Sequence, residues 1–181
     1  MGQHPRRSSP YFSWRRVDIA ARWFFPFVLL VLGLFVIGMP FGLLGQAELR
    51  PVYAMACVYF WSLYRPGSMP AILVALGGLL LDGLGYSPFG LWAVLLLLLQ
   101  VVTLSLRQKL ASAPFLGVWV GFIVLSSGFA LLSWLLTCAL NEIWLSFVPV
   151  YVEISWAIFL YPALAFMLIR VHRGLAATEQ V

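Results

Sequence analysis

Charge is the scarcest property of this chain. Only 9% of its 181 residues are Asp, Glu, Lys or Arg, while 63% are hydrophobic, and the mean hydropathy is +0.99. Soluble domains carry roughly 25% charged residues, so a chain this apolar would expose large sticky patches in water. A polytopic membrane protein is the class that fits. Cysteine is sparse too. Cys57 and Cys138 both lie inside apolar runs and read as small hydrophobic residues, which excludes a disulfide framework and a zinc site. The two histidines, His4 and His172, sit in opposite tails and form no metal cluster. The chain has no H-E-x-x-H, no P-loop and no dinucleotide-binding glycine fingerprint, and Ser, His and Asp do not converge. The expectation is a non-enzyme without metal or cofactor.

What is present is a succession of apolar runs. Residues 1–22 form a basic, Pro/Ser-rich arm, whose stretch from Tyr11 to Trp23 mixes aromatics with arginine and suits either a headgroup layer or a solvated arm. A first span is expected from about Trp23 to Leu44, with Pro26 near its start, and it is read as retained rather than as a cleaved signal peptide. Met39-Pro40-Phe41-Gly42 should end or kink it. The second span, Pro51–Tyr64, is short, so its helix either begins earlier, near Gln46, or has its end buried among other helices. Tyr59, Trp61 and Tyr64 read as an interfacial belt. After the Arg65–Ser68 turn come a third span, Met69–Leu84, a fourth, Phe89–Leu106, a fifth, Phe115–Leu140, and a sixth, Val148–Ile169. Gly117, Gly121, Ser126, Ser127 and Gly128 are expected to form a packed face on the fifth.

Six spans from residue 23 to 170, with a short tail at 171–181, place both termini on one side. If that side is cytoplasmic, Arg6, Arg7, Arg15, Arg16, Arg22, Arg65, Arg107, Lys109, Arg170 and Arg173 all fall inside, ten of the eleven basic residues. Only Arg50 falls outside, together with Glu48, Asp82, Glu142 and Glu153. The basic arm next to an apolar run therefore speaks for membrane topology, not nucleic acid.

The stretch from Arg50 to Gly90 holds the candidate site. Asp82 is an ionisable carboxylate in an apolar span and so a functional candidate by default. It reads as a structural pair with Arg50, a cap at a helix end, a partner-contact group or an ion site. Glu153, about one turn into the sixth span, is a second member of an outer polar cluster, or an interfacial residue favoured by a helix N-terminus. Gly77 and Gly78 mark a close helix crossing, while Pro51, Pro66, Gly85 and Gly90 mark helix starts and turns.

Arg50-Pro51, the Tyr59-Phe60-Trp61 group followed by Pro66, and GGLLLDGLGYSPFG from Gly77 to Gly90 together resemble the MreD family of the bacterial rod-shape machinery. Gly78 and Asp82 match its G-x-x-x-D, and Gly85 and Gly90 its later glycines, with Phe89 where the family usually has leucine. The resemblance implies an all-α polytopic fold of six transmembrane helices, similar to the substrate-binding subunit of energy-coupling-factor transporters. It also implies a non-enzymatic scaffold in the bacterial cytoplasmic membrane that binds MreC. Through MreC it would reach the RodA glycosyltransferase, a class B penicillin-binding protein and MreB filaments. The alternative is the vitamin-binding subunit of such a transporter, which predicts an A-x-x-x-A face on the first helix. Phe24 to Gly42 has Gly33 and Gly38 but no such pattern.

Overall fold

The computed structural model describes residues 11–39, 45–85, 88–142 and 144–177, with side chains described between residues 25 and 166. Among them the chain is all-helical. Six α-helices follow one another: α1 (Tyr11–Gly38), α2 (Gln46–Tyr64), α3 (Ala71–Leu84), α4 (Leu91–Ala111), α5 (Phe115–Asn141) and α6 (Val148–Ala177), with one 3₁₀ turn at Pro66–Ser68 between α2 and α3. Three of them are long and apolar enough to cross a membrane: α4, α5 and the Val148–Phe166 part of α6. Helices suit so apolar a chain because each closes its own backbone hydrogen bonds and needs no water to do it.

The architecture is arranged around α2. Every residue from Pro51 to Leu63 is buried, and α2 packs against α1, α3, α4, α5 and α6. A helix enclosed by protein need not be apolar enough for lipid, and α2, which begins Gln46-Ala47-Glu48-Leu49-Arg50, is not one of the three membrane-length apolar helices. The other helices show one buried and one exposed stripe. On α5, Val118, Phe122, Ser126, Ala130 and Ser133 face inward, while Val120, Val124, Leu131 and Leu135 are exposed. Exposed apolar stripes of this kind are compatible with a lipid surround.

Several boundaries and environments differ from the sequence reading. α1 begins at Tyr11, well before Trp23, so Pro26 lies inside the helix instead of near its start. Residues 1–10 and 40–44, which hold the start of the basic arm and the Pro40-Phe41-Gly42 break, lie outside the described residues, as do Tyr86, Ser87 and residues 178–181. α1 does stop at Gly38, just before that break. α2 begins at Gln46, the earlier start expected for its short apolar run, and is buried from Pro51 to Leu63. Pro51 is therefore inside a helix. α6 continues to Ala177, into the expected tail.

The expected aromatic belt on α2 is core instead. Tyr59 and Trp61 are 0% and 1% exposed, and only Tyr64, at 39%, reaches the surface. Tyr59, Phe122 and Tyr161 form an aromatic cluster, with Phe122 and Tyr161 stacked at 4.5 Å between ring centroids. The Tyr59 hydroxyl donates to the Val118 carbonyl at 3.0 Å. A buried tyrosine with one hydrogen bond has the same residue type as an interfacial one, so residue type alone does not separate core from belt. The small-residue face of α5 is only partly used: Gly121 lies against Leu110 and Tyr59, whereas Gly128 faces open space.

Candidate functional site

The ends of the helices gather at one pole of the bundle, where α1, α3 and α5 finish and α2, α4 and α6 begin. Each helix end leaves backbone groups without intrahelical partners, and where such an end is buried those groups need partners from the protein. The polar residues of this pole meet that need.

Asp82 sits in the last turn of α3 and is 2% exposed. Its carboxylate accepts the N–H groups of Gly90 and Trp92, both at 3.0 Å, and of Ala93 at 3.4 Å. Gly90 is the N-cap residue of α4, in a left-handed conformation (φ 92°), and has no side chain with which to cap. Asp82 supplies from α3 what the N-cap side chain normally supplies. A carboxylate near its own helix's C-terminus is electrostatically unfavourable, and the positive end of α4 offsets that. Gly78, one turn earlier on the same face, makes the approach feasible. A Cβ there would lie 2.7 Å from the Ala93 nitrogen and 2.9 Å from the Trp92 carbonyl carbon. Gly78 and Asp82 are thus one device, in which the glycine admits the α4 backbone and the carboxylate caps it. Gly77 faces α1, where a Cβ would meet the Leu30 side chain.

Arg50 is the complementary case. Its Nη1 donates to the Leu84 carbonyl at 2.6 Å and its Nη2 to the Gly38 carbonyl at 3.3 Å. These are the last residues of α3 and α1, so one cation serves two negative helix ends. Gln46 adds donors to the carbonyls of Ile37, at 2.7 Å, and Met39. In these contacts Arg50 engages backbone carbonyls and Asp82 backbone N–H groups.

Glu153, on the second turn of α6, is 6% exposed, and its Oε1 has no hydrogen-bond partner among the described residues. It lines an open-mouthed cavity of about 380 Å³ between the starts of α2, α4 and α6 and the ends of α3 and α5. Arg50, Glu48, Trp92, Ser133 and Thr137 line it as well. The structure therefore brings Arg50 and Glu153 to one cavity, with Pro51 and Gly85 in its wall, while Asp82 is directed to the α3–α4 seam. Gly85 adopts an extended conformation open to any residue (φ −111°, ψ −177°). Pro66, Gly77 and Gly78 are away from the cavity, Pro66 beginning the 3₁₀ turn.

Sequence reasoning missed Gln46, Glu48, Ser133 and Thr137 at this pole. Glu48 carried a signal, lying two residues before Arg50. Ser133 and Thr137 did not, because hydroxyls that donate within their own helix, here to Ala130 and Ser133, are common in apolar helices. No metal-binding group of three or more His, Cys, Asp or Glu side chains occurs among the described residues. No family model matches the chain, and comparison with curated proteins and with solved structures likewise finds no match.

Proposed function

We propose that the chain is a non-enzymatic scaffold of MreD type in the bacterial cytoplasmic membrane. In this reading all six helices lie in the bilayer and both termini are cytoplasmic. It binds the membrane helix of MreC and, through MreC, helps position RodA and a class B penicillin-binding protein relative to MreB. The observation that carries the reading is the Gly78–Asp82 device. The residues on which the family resemblance rests, G-x-x-x-D followed by Gly90, are the ones that join α3 to α4. A sequence pattern whose members meet in one joint is a stronger sign than the same letters scattered over a fold.

Two further observations support it. Ten of eleven basic residues fall on one side of a six-span topology. α3 alone, 14 residues long, rises only about 21 Å, but Ser68 and Met69 before it are buried as well and extend the enclosed segment. The vitamin-transporter alternative needs a small-residue face on α1 turned outward to a coupling partner. Gly33 instead packs inward on Tyr53, whose hydroxyl donates to the Leu29 carbonyl at 2.8 Å.

Affinity capture from cells in mild detergent, with identification of the captured proteins, tests the proposal. Recovery of MreC and RodA supports it, as does loss of rod shape and of patterned wall insertion on depletion. A cell that keeps its shape without the protein, or a preparation carrying a tightly bound vitamin, refutes it.

A further inference from the structure

The cavity at the helix-end pole contains more unmet polar capacity than its surroundings explain. Glu153 is 94% buried by the complement of its 6% exposure, lines the cavity, and leaves Oε1 without a donor. Arg50 lines it too and leaves a buried Nε without an acceptor, although both its terminal nitrogens are engaged. Glu48 is close enough to Glu153 to interact with it electrostatically. Buried polar groups in folded proteins are nearly always satisfied, and orphaned ones that share a cavity indicate what would satisfy them.

We infer that this cavity binds a zwitterion. Its ammonium N–H groups face Glu153 and Glu48, and its anionic oxygen faces Arg50 Nε. Its apolar remainder lies along Pro51 and Trp92. The wall leaves one acceptor, Glu153 Oε1, and one donor, Arg50 Nε, without partners, and the acceptor is satisfied by an N–H group and not by positive charge alone. The volume, about 380 Å³, falls within the range of roughly 300–1,000 Å³ usual for small-molecule sites. The same chemistry is carried by a phosphatidylethanolamine headgroup and by a free primary-amine zwitterion. The inference stands apart from the scaffold role, since it concerns what the protein holds and not which helix docks on it.

The test uses the full-length protein, delipidated in mild detergent, with binding read by native mass spectrometry and thermal unfolding. The probes are phosphatidylethanolamine, phosphatidylcholine and phosphatidylglycerol of matched acyl chains, and soluble O-phosphoethanolamine. Phosphatidylethanolamine is expected to bind about tenfold or more tighter than the other two lipids, the margin of one charge-assisted hydrogen bond. E153Q should abolish that preference. Ser133→Leu, which fills the cavity from α5, should abolish binding and carries the test if E153Q does not fold. Equal binding by the soluble probe assigns the site to a free zwitterion, and binding only by the lipid assigns it to a headgroup. Indifference among the three lipids with no response to the soluble probe, or a preference that survives both substitutions, overturns the inference.

Discussion

Replacing Asp82 by alanine removes the side chain that caps α4 and takes their carboxylate acceptor from three backbone N–H groups at a buried helix start. Two of those bonds are at 3.0 Å. Each hydrogen bond to a charged group contributes about 1.5–3 kcal/mol net, and the site is too buried for water to replace them. The expected loss is about 3–5 kcal/mol, or roughly 6–20 °C in unfolding temperature at about 2–4 °C per kcal/mol. Asp82→Asn keeps one acceptor oxygen and should lose about half as much. Gly78→Ala attacks the same joint from the backbone side, since its Cβ would lie 2.7 Å from the Ala93 nitrogen. Overpacking of this kind costs about 1–3 kcal/mol. Because separating the helices also draws Asp82 away from α4, the two substitutions should be coupled. The double variant should be about 1–3 kcal/mol less damaged than the sum of the single variants. Unfolding of the detergent-solubilised protein, followed by tryptophan fluorescence, measures all four. Wild-type stability for D82A, or strict additivity in the double variant, would refute the view that glycine and carboxylate form one device.

Pro162 interrupts α6 and deprives the Ile158 carbonyl of its i+4 donor, and the Trp119 indole N–H supplies a bond there at 3.2 Å. Trp119→Phe should therefore cost about 1 kcal/mol, and less in a Pro162→Ala background, where the backbone N–H is restored; a thermal-unfolding cycle reads the difference. Arg50→Lys keeps the charge but cannot span the Leu84 and Gly38 carbonyls in a planar fork. It should lower stability by about 1–2 kcal/mol, whereas stability equal to wild type would show that charge alone suffices. Cys57 is fully buried and Cys138 half-buried, so a maleimide should label Cys138 alone in the native protein and both after denaturation, read by intact mass.

Much of the fold was legible because each apolar run is separated from the next by residues that stop helices. Pro114, for example, opens α5 from its N-cap position. The Gly78–Asp82 spacing was legible for the same kind of reason: a glycine and an acid four residues apart share a face. Three things were not. Tyr59 and Trp61 looked interfacial because the identity of an amphipathic aromatic does not say whether its polar atom meets water or a carbonyl such as that of Val118. Pro51 and Pro26 looked like helix starts, but both lie inside helices, and whether packing offsets the hydrogen bond a proline removes is not displayed by sequence. Glu153 read either as a member of an outer polar cluster or as an interfacial residue near a helix N-terminus, and neither says how deeply it is buried. Its burial depends on the end of α5 and on the start of α2, where the Trp156 indole, one turn on, donates to the Gly45 carbonyl at 3.1 Å, across 111 positions of sequence.

The enclosure of α2 has a consequence for how the chain tolerates change. α5 has a direction: substitutions at Val118, Phe122, Ser126 and Ala130 meet neighbours, while those at Val120 and Val124 meet surroundings that can rearrange around them. Its tolerance to substitution should rise and fall with each turn. From Pro51 to Leu63, α2 has no such permissive side. Any enlargement presses on another helix whichever way the side chain points, so intolerance there should run unbroken along the sequence, without the 3.6-residue rhythm. Drift across the rest of the molecule can be absorbed one helix at a time. Drift in α2 has to be matched by changes in several helices at once.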